Sequence, residues 1–462
     1  MLEDLERHLY WTVVQYLDGT SVMRLSATSK LSLEWTCQCA KALYFSGKDC
    51  QLRAHMARFT KVLELHAVVP VALASELHRK SASLPLVRMR VEAGALLPLC
   101  SQEDMNQLAE GLAEFVLGHC KSAGGSTPTI KHFSLRAVLP ALGNFSMLPS
   151  FSAPGAASFW SSLESLELSH LHINNVIMTS LLQCLRAGAR EVAPPGTTPV
   201  LPMQHFSVQG NLLGKIHGVE PALLTLASDM EAGLFANLEV LNLGENFLDE
   251  ELGARLSLAL SRGACPKLRV LQLQRGMVQL TALNMRYSRL LKAMPKLVTL
   301  GIGMRSSCAF VEAPAALLKT IADGALSQIT DLTISGIGSA RSLIALVESV
   351  ASGGCPNLNS LTIMAPVLMQ SSHKVLPCAQ ALYRLVAGDT LPAMQTCRVL
   401  SSKASSHILR ATISKMSRVR SQRIRELLSG EDSLRCLLFP HTQEPEWDMY
   451  RVLNDRKLQM VV

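Results

Sequence analysis

One spacing of leucines recurs along this chain and restricts how it can fold. Leu238, Leu241, Leu243, Asn246 and Leu248 stand in the order L-x-x-L-x-L-x-x-N-x-L. In such a pattern alternate residues of a short strand point to one side, and the asparagine serves the turn that follows. The strand part returns, with Ile in place of some leucines, at Leu268/Leu271/Leu273, Leu297/Leu300/Ile302, Ile329/Leu332/Ile334 and Leu358/Leu361/Ile363, at intervals of 30, 29, 32 and 29 residues. Looser copies lie upstream at Leu86/Met89/Val91, Ile130/Phe133/Leu135, Leu163/Leu166/Leu168 and Met203/Phe206/Val208, the last followed by Asn211. Gly/Pro/Ser/Thr-rich loops at 121–128 and 191–202 account for their wider spacing. Outer matches at Leu63/Leu65 and Met394/Cys397/Val399 bring the array to roughly eleven units.

Between strand cores the apolar period becomes helical, as at Met105, Leu108, Leu112 and Phe115 or at Leu252, Leu256 and Leu260. Each unit therefore reads strand, turn, helix, and the fold class is α/β. Several helices end before Cys-Pro-x-Leu, as at Cys265-Pro266 and Cys355-Pro356, where proline stops the helix and cysteine is a small apolar filler. Over the 462 residues, 48% are hydrophobic but only 5% aromatic, which predicts layers of aliphatic side chains instead of an aromatic core.

The segment from about 60 to 400 resembles leucine-rich repeats of the longer, ribonuclease-inhibitor-like kind. The resemblance implies a solenoid of about 10–11 units with strands along a concave side, and Asn246 and Asn211 satisfying backbone groups of their turns. Period-two alternation then puts Arg88, Arg90, His132, Ser134, Arg136, Ser165, Glu167, His205, Gln209, Asn242, Gln272, Gln274, Asp331, Thr333, Ser360 and Thr362 on that lining. It is polar, and basic in its N-terminal half, where Arg88, Arg90 and Arg136 suit an acidic or phosphorylated ligand. The expected occupant is a target protein of unknown identity. Solvated strands also need polar faces.

Residues 1–45 do not follow the repeat. Leu2, Leu5, Leu9, Val13, Tyr16 and Leu17 form a helical stripe, Asp18-Gly19-Thr20-Ser21 ends it, and a second helix follows. The runs Tyr16-Leu17-Asp18 and Arg24-Leu25-Ser26-Ala27-Thr28-Ser29-Lys30, with Trp35, resemble the F-box. That resemblance implies docking to the Skp-type adaptor of a cullin ubiquitin ligase through Leu2, Leu5, Val13, Leu17 and Leu25, and a role as its substrate-recognition subunit. Glu3 stands where that family commonly has proline, and Trp35 comes later than is usual. The alternative is a helical cap for the first repeat of a stand-alone scaffold or inhibitor.

No catalytic constellation emerges, so the chain is expected not to be an enzyme and to need no cofactor or metal. His170-Leu171-His172 has no third ligand at metal spacing and reads as surface histidines. Gly210 to Lys215 is one residue short of a phosphate loop, and Gly301-Ile302-Gly303 sits within a strand core. The net charge is +8, and Ser401 to Arg425 carries seven cations without an acid. Helical spacing there predicts a C-terminal cap over 401–462 with a solvated basic face, in preference to a nucleic-acid or membrane patch. With no apolar stretch of spanning length and no secretory signal, a cytoplasmic or nuclear location is expected.

Overall fold

The computed structural model describes residues from Ala40 to Leu400, apart from 47–62, 94–101, 123–129, 138–146, 215–220, 247–249, 275–293, 304–314, 365–376, 386–390 and a few single positions. Leu2, Leu5, Val13, Leu17 and Leu25, and the C-terminal segment 401–462, lie outside the described residues. The chain divides into two units, one ending at Val240 and one beginning at Leu241.

The first unit contains strands β1 (Ala42–Ser46), β2 (Glu64–Val69), β3 (Arg88–Ala93), β4 (His132–Ala137), β5 (Ser165–Ser169) and β6 (His205–Ser207). Its helices are α1 (Val71–Ser81), α2 (Gln102–Ser122), α3 (Leu148–Ser152), α4 (Ala156–Ser161), α5 (Asn175–Val192) and α6 (Ala222–Glu231). Strand β7 (Val240–Asn242) falls at the boundary. The second unit continues with α7 (Glu250–Ser261), β8 (Val270–Gln272), β9 (Thr299–Gly303), α8 (Ala315–Ala322), β10 (Asp331–Ser335), α9 (Ala340–Ser349), β11 (Ser360–Met364) and β12 (Thr396–Leu400). Within each unit the paired strands are parallel and follow chain order, the α/β strand-turn-helix arrangement that the repeat spacing predicts.

Successive repeats are joined at the head of each strand by one shared carbonyl. Leu63 O accepts from the N–H groups of Val87 and Arg88 at 2.8 and 2.9 Å. Val87 O accepts from Lys131 and His132, Lys131 O from Glu164 and Ser165, and Glu164 O from Gln204 and His205. The second unit repeats the device: Val298 O accepts from Thr330 and Asp331, and Thr330 O from Asn359 and Ser360. A carbonyl has two lone pairs, so this geometry uses both.

The leucine pattern becomes the core. Leu166, Leu168, Leu238, Leu241, Leu243, Leu268, Leu271, Leu297 and Leu361 are all at 0% exposure. Asn211 fills its expected role across two repeats: its Nδ2 donates to Leu168 O at 2.7 Å and Val208 O at 2.9 Å, while its Oδ1 accepts from the N–H groups of Leu171 and Ile173. Asn246 donates to Leu243 O at 3.0 Å. A second set of amides goes unannounced by the motif. Asn237, Gln328 and Asn357, each just before the first apolar residue of its repeat, donate to Leu201 O, Met294 O and Ser327 O in the preceding repeat. Buried Asn175 also ties Gly214 O to the first turn of α5.

Two expectations need correction. The first strand starts at Ala42, ahead of the 60 read as the array's beginning, because Ala-Leu-Tyr-Phe-Ser buries Leu43 and Phe45 without the leucine spacing. The interior is also not uniformly aliphatic. Phe115, Phe133, Phe159 and Trp160 stack between the sheet and helices α2 and α4, with Phe159 and Trp160 perpendicular at 5.1 Å. Among the described residues these aromatics gather in one layer, which chain-wide composition could not place. At the same level Gly188 of α5 passes so close to Ala157 O and Ser161 that a Cβ would collide with both.

His78 lies within this aromatic layer at 0% exposure. Its Nδ1 donates to Ala74 O at 2.8 Å, its Nε2 has no partner, and burial lowers its pKa to about 4. Burial likewise lowers His119 to about 4. Because the unfolded chain takes up these protons near pH 6.5 and the folded one only near 4, stability falls as pH drops through that window. Each imidazole contributes up to about 1.4 kcal/mol per pH unit. Thermal melts of His78→Leu are expected to show a shallower acid slope than the wild type over this window; an unchanged slope would contradict the neutral buried ring. Leu241→Ala should cost about 2–5 kcal/mol by opening a cavity. Asn242→Ala, which loses the bond from Gly244 N at 3.1 Å and opens no cavity in the leucine stack, should cost less, about 1 kcal/mol, in denaturant titrations.

Candidate functional site

Strand side chains alternate between a buried side and an open one, so register decides which residues share the open face. In β2 and β4 every second residue is buried, beginning with the second of the strand, and the residues between stay accessible. Three rows result in the first unit. One runs Ala42, Glu64, Arg88, His132, Ser165, His205. The next runs Tyr44, His66, Arg90, Ser134, Glu167, Ser207, and the third Ser46, Val68, Glu92, Arg136, Ser169, with Ser207 and Ser169 buried at the ends of their rows.

The predicted lining residues Arg88, Arg90, His132, Ser134, Arg136, Ser165, Glu167 and His205 are thus brought onto one surface. Register adds Glu64, His66 and Glu92, which alternation within single strands did not bring forward. These acids temper the basic character expected. Arg88 pairs with Glu64 at 3.7 Å and Arg90 with Glu92 at 2.7 Å. Both arginines remain about half exposed, so the pairs add little stability. Arg136 stands in register between Glu92 and Ser169, and its Nε is buried without a hydrogen-bond partner. Glu167 accepts from Ser134 Oγ at 2.8 Å and from Ser169 Oγ at 3.2 Å. The rows hold three arginines, three glutamates and three histidines, an even balance while the imidazoles are neutral.

All three histidines resist protonation, and burial is the first cause for each. For His66 the Arg90 guanidinium adds to it, against Glu92. For His132 Arg88 adds, against Glu164 and Glu64. For His205 Glu167 opposes burial and His132 reinforces it.

In the second unit the corresponding row is Gln272, Gly301, Thr333, Thr362 and Arg398, uncharged until its last position. A Cβ at Gly301 would overlap both Gln272 and Gln274, whose amides lie across it. Gln209 and Gln274 sit in the turns after β6 and β8, past the strand rows, and Asn242 lies within β7. Alternation carried two residues too far there, since these strands are only three residues long.

His170 and His172 differ from surface histidines. Both have left-handed backbone, with φ of 59° and 54°, and both are half-buried. Burial and then His170 lower the pKa of His172. Among the described residues no group of three or more His, Cys, Asp or Glu is placed to hold a metal, and no helix is long and apolar enough to cross a membrane. Cys265 and Cys355 are 1% and 0% exposed, and burial pushes each thiol up to about 12, the reverse of what a nucleophile needs.

No protein-family model matches the sequence, and no curated protein matches it. Among solved structures the chain is similar to an internalin (inlF) from Listeria monocytogenes, at 12% identity and a TM-score of 0.36, over 78% of this chain and 87% of that one. The strand register and the asparagine bonds, not this likeness, define the repeat architecture.

Thiol chemistry tests the packing directly. Alkylation of the native protein followed by peptide mass spectrometry should leave Cys265, Cys355 and Cys397 unlabelled, and labelling should appear only with denaturant. Rapid native labelling of Cys265 or Cys355 would contradict their place in the stack.

Proposed function

We propose that the chain is a non-catalytic protein-binding subunit that holds a target protein on the open face of its sheet. The observation that carries this reading is the in-register ladder of β1 to β6, which gathers three arginines, three glutamates and three histidines on one face. Neighbouring repeats place these side chains about 4.8 Å apart on hydrogen-bonded backbone, so a partner meets a surface already ordered and loses little entropy to ordering it. The even balance of arginine and glutamate gives no sustained cationic field, which disfavours nucleic acid as the partner of this face.

The finer form of the proposal is the substrate-recognition subunit of a Skp-cullin-F-box-type ubiquitin ligase. Its support is the F-box resemblance of residues 1–45, with Leu2, Leu5, Val13, Leu17 and Leu25 as the adaptor contacts. The subunit would then perform no bond chemistry, and would raise the effective concentration of its target beside the ubiquitin-charged enzyme. A stand-alone scaffold or inhibitor shares the target-binding face and lacks the adaptor.

Affinity purification with quantitative mass spectrometry separates these readings. Leu5→Asp with Leu17→Asp should remove a Skp-type adaptor and cullin from the recovered proteins and leave the target in place. Arg88→Glu with Arg90→Glu should do the opposite, with an unchanged thermal melt. Absence of adaptor and cullin from the wild-type sample would sink the ligase reading. A target that survives the arginine reversal undiminished would sink the open-face reading.

A further inference from the structure

Three neighbouring polar side chains stand on the open face of the first unit. His132, Ser165 and His205 occupy the same row on β4, β5 and β6, directly in register. None of the three has a side-chain hydrogen-bond partner among the described residues. Their neighbours, by contrast, are engaged. Lys131 is bonded to Glu164 at 2.6 Å, Arg88 is paired with Glu64, and each oxygen of Glu167 accepts from a serine hydroxyl. Three adjacent groups of one row thus keep their hydrogen-bonding capacity open to a ligand.

Resting on the protein-binding reading above, we infer that His132, Ser165 and His205 form a docking subsite for a carboxylate of an acidic segment of the target, and that binding draws protons onto the two imidazoles. With strands about 4.8 Å apart, the two imidazoles flank the serine hydroxyl, and together they offer three donors to the two oxygens of one carboxylate. Arg88, next in the row after His132, is held to Glu64 only at 3.7 Å and stays about half exposed, which favours an anion and opposes a lysine or arginine at this spot. Three carboxylates act on the two histidines. Glu64 and Glu164 act on His132, and Glu167 acts on His205. The first two are each bonded to a cation, and the third is capped by two hydroxyls.

Proton uptake follows from the same layout. Burial, Arg88 and Lys131 disfavour the imidazolium of His132 in the free protein, and burial with His132 does so for His205. A carboxylate placed between the rings offsets that and raises the proton affinity of both. Affinity for an acidic ligand therefore increases as pH falls, by up to about tenfold per pH unit for each proton bound.

Fluorescence anisotropy of the full chain with a labelled oligoaspartate, at about pH 7.5 and about pH 5.5, reads this out, with circular dichroism checking the fold at both. The wild type should bind more tightly at the lower pH, and an oligolysine of equal length should not bind. His132→Gln with His205→Gln should weaken binding at about pH 7.5 several-fold and lose the pH dependence. Ser165→Ala should weaken binding several-fold at both pH values without altering that dependence. Equal binding of oligolysine, no binding of oligoaspartate at either pH, or an undiminished pH dependence in the double variant would each overturn the subsite. Those results leave the open-face reading intact, since that one stands or falls on the response of the natural target to reversal at Arg88 and Arg90.

Discussion

Everything else in this protein hangs from one backbone carbonyl per repeat that accepts two N–H groups from the next. Because Val87 O receives both Lys131 N and His132 N, and Lys131 O receives both Glu164 N and Ser165 N, the start of each strand is fixed relative to the one before. A slip by one residue would break two hydrogen bonds and turn every leucine of the strand toward water. Register therefore carries from repeat to repeat despite intervals that vary widely, and inserted loops such as 191–202 leave it undisturbed.

Amides complete what the carbonyls begin. The turn after a strand leaves buried N–H and C=O groups that water cannot reach, and an unpaired one costs about 1–3 kcal/mol. Asn211 answers four of them at once, spanning two repeats, while Asn237, Gln328 and Asn357 do comparable service at the other end of the strand. With stability vested in leucines, carbonyls and these amides, the open face carries little structural duty. That is why His132, Ser165 and His205 can stand without partners.

Much of this could be read in the sequence, and the physical reason is periodicity. Leu241, Leu243 and Asn246 repeat a spacing that only one strand-and-turn geometry satisfies, so their burial was foreseeable. The amides of Asn237 and Gln328 were not, because a single polar residue ahead of a strand has no period to reveal it. Strand β1 escaped because burying Leu43 and Phe45 takes only alternation, a signal that five residues barely express. At the site, alternation within a strand found His132 and His205, but it could not say that Glu64 sits beside Arg88 or that Ser165 lies between the two rings. Those are facts of register between strands more than twenty residues apart.

The shared carbonyls also define where the chain can be cut and rejoined. Val298 and Thr330 occupy equivalent places, each accepting the same pair of donors from the strand that follows. Removing the span between two such places, or duplicating it, brings together a carbonyl and a pair of N–H groups that already fit. The number of junctions in this protein is thus quantised: strands come and go with whole repeats of about thirty residues, while a loop such as 191–202 can lengthen without altering any junction. Each such step lengthens or shortens the polar rows by a single rung, so the reach of the binding surface can be tuned by the same copying event that alters the length, with no new packing problem to solve.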